Sequence, residues 1–167
     1  MANIYDILKD KILVLDGAMG TMIQEYKFSE SDYRGSRFKD HPCSVKGNND
    51  LLSLTQPEAI KRIHEKYLEV GADIIETNTF SSTSIGMADY SMESIVYDIN
   101  FESAKIAKEA ALKYSKITPK KPRFVAGSIG PTNRTASMSP DVNDPGFNRT
   151  TYSYKNDVVG WRIFDMI

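Results

Sequence analysis

The pattern of hydrophobic and polar residues predicts strands that alternate with helices. Ile12-Leu13-Val14-Leu15 is an unbroken aliphatic run, which is typical of a strand buried on both faces of a parallel sheet. Residues 4–10 favour a short helix before it. Residues 17–54 form a polar connection, and one of this length is usually functional or contains short elements of its own.

The clearest helix signal starts at Thr55. Thr55-Gln56-Pro57-Glu58 fits a capping box, in which the hydroxyl and the carboxylate satisfy free amides, and Pro57 suits a first helical turn. Gly71 predicts the end of this helix. Its buried face is predicted from apolar and aromatic residues at helical spacing, namely Ile60, Ile63, His64, Tyr67 and Leu68.

Two more strands and a second long helix follow. Residues 73–79 favour a strand, 91–114 a helix, and 123–128 a third strand. The prolines within 118–122 separate the last two. Strand–helix–strand–helix–strand order predicts an α/β fold with a parallel sheet. The remainder is predicted as a loop over 129–151 and a weakly helical segment over 152–167.

Composition narrows the functional classes. The 167 residues include 21 Lys and Arg against 22 Asp and Glu, a net charge of −1, which argues against a nucleic-acid or anionic-membrane binder. The first residues lack the pattern of a signal peptide, and the longest aliphatic run near them is too short to span a bilayer. Cys43 is the single cysteine. We therefore expect a cytoplasmic protein without disulfides.

Small or polar residues end each predicted strand: Asp16-Gly17, Glu76-Thr77-Asn78 and Gly127-Ser128. Parallel α/β folds carry their sites at these carboxyl ends. Loops also begin there and are polar for that reason alone, so the pattern leaves both interpretations open.

Asp16-Gly17-Ala18-Met19-Gly20-Thr21 is the most informative local motif. Its glycines permit a tight turn and close approach of a small ligand. Free amides there suit a carboxylate and Asp16 suits an ammonium group, so together they would hold an amino acid. The alternatives are a turn in which Asp16 caps local amides and an anion turn for a nucleotide phosphate, although G-x-x-G is not the dinucleotide-binding spacing.

Longer motifs carry a family resemblance, which covers roughly residues 5–152. These are Leu15–Thr21, Lys46-Gly47-Asn48-Asn49-Asp50, Gly71–Phe80, Gly130–Thr135 and Ser139–Pro145. In this order they resemble the N-terminal homocysteine-binding module of cobalamin-dependent methionine synthases, within the homocysteine S-methyltransferase family. The Asp-Gly and Glu-Thr-Asn-Thr-Phe segments are shared across homocysteine methyltransferases. The Asn-Asn-Asp and Pro-Asp-Val-Asn-Asp-Pro loops indicate the cobalamin-dependent branch.

The resemblance implies a (β/α)8 barrel in which three cysteine thiolates hold zinc. The zinc converts homocysteine to a thiolate, which takes a methyl group from cobalamin to give methionine. Further modules bind cobalamin and methyltetrahydrofolate. By the same resemblance, Asp16 and the amides from Gly17 to Thr21, Ala18 included, would bind the amino-acid end of homocysteine. Glu76, Asn78 and Ser128 would line the barrel mouth.

The chain departs from this family in length and in cysteines. A (β/α)8 barrel takes about 250 residues. We therefore expect a partial TIM-type barrel of about the first three β/α units over residues 1–152, and an unrecognised tail over 153–167. A truncated or frame-altered product is one hypothesis for this tail. The family's zinc ligands, a later-strand Cys and a Gly-Gly-Cys-Cys motif, do not occur in the sequence.

Cys43 with Asp40 and His41 is not expected to form a substitute zinc site, because three neighbouring loop residues rarely adopt zinc geometry. His64 is expected to pack in the core. We therefore expect no stoichiometric zinc, no cobalamin and no methyl transfer from this chain alone. The alternative is a non-catalytic amino-acid-binding module. Open sheet edges favour self-association.

Overall fold

A computed structural model describes residues 3–131, which form an α/β unit. The elements in chain order are α1 (Ile4–Ile7), α2 (Met19–Glu25), α3 (Glu30–Arg34), α4 (Leu52–Thr55), α5 (Pro57–Glu69), β1 (Ile74–Glu76), α6 (Ser84–Ala88), α7 (Val96–Ile117) and β2 (Phe124–Ala126). Short 3₁₀ turns at Asn49–Leu51 and Glu93–Ile95 precede α4 and α7. The predictions for the loop from 132 to 151 and for the segment 152–167 lie outside the described residues.

The sheet is parallel, as predicted, with β1 beside β2 and Ile74 in register with Phe124. The predicted first strand is reduced to one parallel bridge from Leu15 to Ile74. The prediction that this run is buried on both faces was wrong, since Ile12 is 89% exposed and Val14 56%. Within the described residues only the β1 side of the run has a strand beside it, so the other edge and much of its side-chain surface stay open.

Helix α5 packs against α7, and most of its predicted inner face is buried: Ile60, Ile63, His64 and Leu68. Pro57 occupies the first turn, as predicted. The predicted capping box was wrong, because Thr55 ends α4 and Gln56 precedes α5 without a side-chain cap. The Thr55 hydroxyl instead lies 3.5 Å from the Leu51 carbonyl. Because Pro57 starts α5 only two residues after the end of α4 at Thr55, no residue between the helices adopts the extended conformation of a capping residue.

Gly71 ends α5 as predicted, with a φ of 110° that favours glycine. The Gly71 amide donates to the Leu68 carbonyl, and the Ala72 amide donates to the Tyr67 carbonyl at 3.0 Å. This pair of bonds is a Schellman motif. The chain therefore turns at once into β1, which lies over α5 and α7.

Helix α7 begins later than the predicted helix, at Val96 rather than near 91, and ends at Ile117 before the proline-rich break. Its alanines form a close-packed layer against the sheet, with Ala107 and Ala110 fully buried beside Ile75 of β1. A larger cluster joins α5 and α7 through Ile60, Ile63 and Ile99. These two layers hold the strand ends in place. Within residues 3–131 no helix has the length and apolarity needed to cross a membrane.

Candidate functional site

A cavity of about 670 Å³ opens at the carboxyl ends of β1, β2 and the Leu15 segment. This is the end of a parallel sheet at which α/β proteins bind ligands. Six of the seven residues predicted for the site line the cavity: Asp16, Gly17, Ala18, Glu76, Asn78 and Ser128. The seventh, Thr21, is exposed on α2 and is not among the lining residues.

Asp16 joins the first segment to β1 at the cavity wall. Both of its carboxylate oxygens accept the Glu76 backbone N–H, each at 3.1 Å. Burial raises the pKa of Asp16 to about 6; the hydrogen bond from Glu76 opposes this rise, and the Glu76 carboxylate adds to it. The side chain thus caps an amide of the neighbouring strand, not the local amides that the turn alternative predicted, and it also lines the cavity.

Glu76 and Ser128 bring the ends of β1 and β2 together. The Ser128 hydroxyl donates to Glu76 Oε2 at 3.3 Å, and the Ser128 amide donates to Thr77 Oγ1 at 3.0 Å. Thr79 Oγ1 returns a bond to the Ser128 carbonyl at 2.8 Å. These reciprocal bonds fix the Glu76 carboxylate at the cavity wall.

The Gly17–Gly20 turn forms the floor next to Asp16. Helix α2 begins after Ala18, which provides no side-chain cap for its first amides. A Cβ at Gly17 would lie 3.4 Å from the Tyr67 ring, so glycine here lets the turn lie directly on α5. The four residues of the turn line the cavity beside Asp16.

Asn48, Asn49 and Asp50 form a further part of the cavity wall. The Asn78 side-chain amide donates to the Asn49 carbonyl at 2.8 Å, and Asn48 donates to the sulfur of Met87. None of these three residues was predicted from the sequence to belong to the site. The signal lay in the Lys46–Asp50 motif, a run of amide and carboxylate side chains directly after a glycine.

Asp50 is the most buried carboxylate of the cavity, at 5% exposure. One of its oxygens, Oδ2, accepts the Ser81 amide at 2.6 Å and the Ser82 hydroxyl at 2.9 Å. Burial raises the pKa of Asp50 to about 6, although the bonds from Ser82 and Ser81 oppose the rise. The second oxygen, Oδ1, has no hydrogen-bond partner within residues 3–131.

Phe80, Asp89, Tyr90 and Pro131 complete the rim. The Gly130 amide donates to the Phe80 carbonyl at 2.8 Å. A Cβ at Gly130 would lie 2.5 Å from the Phe80 ring, so a larger residue here would require the ring to move. The contact places an exposed aromatic ring at the cavity entrance, where it can cover an apolar ligand stem.

The described residues do not fit the zinc site that the family implies. Across residues 3–131, no three His, Cys, Asp or Glu side chains are grouped as metal ligands. Cys43 contacts the Ser91 hydroxyl at 3.7 Å, and His41 contacts the Tyr90 carbonyl at 2.7 Å. Neither residue lines the cavity. His64 is fully buried in the core, as predicted.

Comparison with known proteins agrees with the motifs. A family model described as homocysteine S-methyltransferase matches residues 13–163. The homocysteine methyltransferase MmuM from Escherichia coli has a similar fold in its metallated form, with a TM-score of 0.58, 24% identity and coverage of 75% of this chain and 40% of that chain. Its oxidized form gives 0.58, 26%, 75% and 39%. The chain thus spans about two fifths of those enzymes, and it belongs to the homocysteine S-methyltransferase family.

Proposed function

We propose that this chain forms the homocysteine-binding part of a methyltransferase barrel, corresponding to about its first three β/α units. The observation that carries the proposal is the convergence of Asp16, Glu76 and Ser128 from three successive segments on one cavity. Their position at the carboxyl ends of parallel strands is that of substrate residues in (β/α)8 enzymes. The boundary between this domain and a tail at 152/153 is part of the proposal.

In this proposal the two carboxylates and the glycine turn divide the recognition of the amino acid. The ammonium group binds between Asp16 and Glu76, whose charges complement it. The carboxylate binds the amides of the Gly17–Gly20 turn, which begin α2 without a side-chain cap. The apolar stem then lies along the cavity towards Phe80.

Methyl transfer also requires a group that activates the homocysteine sulfur. When bound in the complete family enzymes, zinc ionises the homocysteine thiol. Cys43 is this chain's single cysteine and lies outside the cavity lining, so the residues present do not supply that centre. We therefore propose that the chain binds its substrate but does not transfer a methyl group by itself. In isolation the chain then acts as a non-catalytic amino-acid-binding module, which is the alternative function predicted from the sequence.

The donor that we propose is methylcobalamin. The supporting features are the Asn48-Asn49-Asp50 and Pro140–Pro145 motifs, which resemble the cobalamin-dependent branch. Cobalamin is a macrocycle far larger than an amino acid and does not fit inside a cavity of about 670 Å³. Another module must therefore carry it to the rim, together with a folate-binding module, in a cytoplasmic methionine-forming enzyme.

Calorimetry with homocysteine under reducing conditions tests the binding proposal. Asp16→Asn keeps an oxygen acceptor for the Glu76 amide but removes the charge that pairs with ammonium. A hydrogen bond to a charged group contributes about 1.5–3 kcal/mol, so affinity should fall roughly ten- to a hundredfold. Asp10→Asn removes an exposed carboxylate outside the cavity lining and should leave affinity unchanged.

Two outcomes would contradict the proposal. Either the unaltered chain does not bind homocysteine, or Asp16→Asn binds it as well as the unaltered chain does. Binding of ATP or NAD instead would favour the anion-turn hypothesis. Incubation with homocysteine and methylcobalamin tests the inactivity, since formation of methionine by the chain alone would exclude it.

A further inference from the structure

The loop between β1 and α6 brings an aromatic side chain to the cavity entrance. This loop covers residues 77–83 and ends at Thr83, which caps α6. Phe80, at its middle, lines the cavity and is 57% exposed. Because more than half of this residue is open to solvent, packing alone does not fix where its ring lies. The position of the ring therefore depends on how the backbone of the loop is held.

The peptide unit between Phe80 and Ser81 is held at both of its ends. Its carbonyl, which belongs to Phe80, accepts the Gly130 amide at 2.8 Å. Its N–H, which belongs to Ser81, donates to Asp50 Oδ2 at 2.6 Å. A peptide unit is planar, so two bonds to different segments of the chain fix the orientation of the whole plane. The plane includes the Phe80 Cα, and its orientation therefore restricts the direction in which the ring leaves the backbone.

Asp50 is a well-anchored partner for this peptide. Its side chain is buried and belongs to the 3₁₀ turn Asn49–Leu51. The same oxygen, Oδ2, also accepts the Ser82 hydroxyl at 2.9 Å, so it joins two consecutive residues of the loop. The Ser82 carbonyl in turn accepts the side-chain amide of Asn100 on α7 at 2.8 Å. Loss of the bond to Asp50 should therefore release the middle of the loop while its end stays attached to α7.

Resting on the proposed function, we propose that Asp50 is a positioning residue, which acts through the Phe80–Ser81 peptide to hold the Phe80 ring over the apolar stem of the bound amino acid. Asp50 needs no contact with the ligand in this role. The role is distinct from recognition of the ammonium group, which the proposed function assigns to Asp16 and Glu76. It follows that the effect of Asp50 on affinity passes through the Phe80 ring.

A double-mutant cycle on homocysteine affinity, measured by calorimetry under reducing conditions, tests this role. Asp50→Asn keeps the size of the side chain but removes the charge that strengthens the bond from the Ser81 amide. We expect affinity to fall about three- to tenfold in the unaltered chain, within the coupling found for residues of one hydrogen-bond network. In a chain that already carries Phe80→Ala, the same change should lower affinity by less than about twofold, because the ring that Asp50 positions is gone.

Asp89→Asn is the matched control for the loss of charge. Asp89 also lines the cavity but accepts neither of the bonds that Asp50 accepts from the loop. Its replacement should therefore change affinity by the same factor with and without the Phe80 ring. A purely electrostatic role of Asp50, or a general role in stability, would likewise give Asp50→Asn the same effect in both backgrounds.

Hydrogen exchange and circular dichroism accompany the cycle. Asp50→Asn should speed exchange of the Ser81 amide and leave exchange in β1 unchanged. If this variant does not fold, Ser82→Ala, which removes only the hydroxyl bonded to Asp50, replaces it in the cycle and should show the same dependence on Phe80. Equal effects in the two backgrounds, or no effect on affinity, would overturn the inference alone. Absence of homocysteine binding by the unaltered chain would overturn the proposed function and the inference with it.

Discussion

His64 is buried, and neither of its ring nitrogens has a hydrogen-bond partner among residues 3–131. Burial lowers the pKa of His64 from 6.5 to about 4. Between about pH 4 and pH 6.5, the unfolded chain therefore binds a proton at His64 and the folded chain does not. The free energy of unfolding should fall by up to about 3 kcal/mol as the pH drops through this range, since each pKa unit corresponds to 1.36 kcal/mol.

Urea unfolding of the unaltered chain and His64→Leu at pH 7 and pH 4.5 measures this loss. The variant should be destabilised less by acid than the unaltered chain, because it has no proton to take up at this position. Ile63→Val is a control in the same buried face and should cost about 0.5–1.5 kcal/mol at both pH values. An equal response to acid in the unaltered chain and His64→Leu would contradict the assignment.

The raised pKa of Asp16 makes a second prediction, for ligand binding. Burial is the main cause of its value of about 6, and only the ionised form pairs with an ammonium group. Homocysteine affinity should therefore change little between pH 7 and 7.5 and fall as pH drops through 6, approaching tenfold per unit once Asp16 is mostly protonated. The amine and carboxylate of the ligand do not titrate between pH 5 and 7.

Calorimetry from pH 5 to 7.5 checks this dependence, and Asp16→Asn is the control. The variant should bind weakly and lose much of the pH dependence. Asp50, whose pKa is also raised to about 6, accounts for any part that remains. A full acid-side decline in Asp16→Asn would assign the titration to Asp50 or another group.

At the level of elements, α3 and the loop after it are held by one carboxylate. Glu30 accepts the Val45 and Lys46 amides at 3.0 and 2.8 Å, and the Ser44 hydroxyl and Arg34 Nε as well. The bond from the Val45 amide is the largest cause that lowers the pKa of Glu30 to about 2, with Ser44, Lys46 and Arg34 adding to it against burial. This loop leads directly to the Gly47–Asp50 wall of the cavity.

Glu30→Gln should loosen this loop, because an amide side chain offers one acceptor oxygen where the carboxylate offers two. We expect faster hydrogen exchange at the Val45 and Lys46 amides and weaker homocysteine binding, with the cores of α5 and α7 unchanged. Glu102→Gln, which removes an exposed ion pair with Lys105, is the control. Unchanged exchange at Val45 would show that other contacts order the loop.

The elements that could be predicted from sequence are those with a strong local signal. Gly71 ends α5 because few other residues adopt its φ, and the apolar spacing of 60–68 allows only one buried face. The Thr55 cap failed because α4, a single turn inside the polar connection, already contains Thr55. Such short helices depend on distant contacts, such as the bond from the Gln56 side chain to the Asp32 carbonyl, which no local pattern records.

The candidate site also combines residues that could be predicted from the sequence with contacts that could not. Asp16 and Glu76 could be placed at strand ends from the pattern alone, but their joining through the Glu76 amide depends on the register of Leu15 with Ile74. Asp50 reaches the cavity through a loop whose course is fixed by Asn78. A residue's contribution to a site thus becomes predictable only when the strand order is known.

Across the described part of the molecule, the sheet has two edges without a strand partner. On one side is the 12–15 segment, whose Val14 and Leu15 are 56% and 47% exposed. On the other is β2, which pairs with β1 alone. The match leaves about three fifths of the related enzyme unaligned, because it covers 40% of that chain, so the relative has further chain available to cover such edges. Unpaired parallel edges with apolar side chains favour association.

We expect two copies to associate edge to edge, with the 12–15 segment of each beside β2 of the other, because this arrangement keeps all strands parallel and closes both edges. Light scattering after size exclusion should give a mass that rises with concentration towards a dimer. Val14→Glu places a charge at the edge and should shift the mass to that of a monomer. Tyr97→Glu alters a residue of equal exposure, 56%, on the outer face of α7, and should leave association intact. A monomer at every concentration, or equal dissociation by both variants, would refute edge pairing.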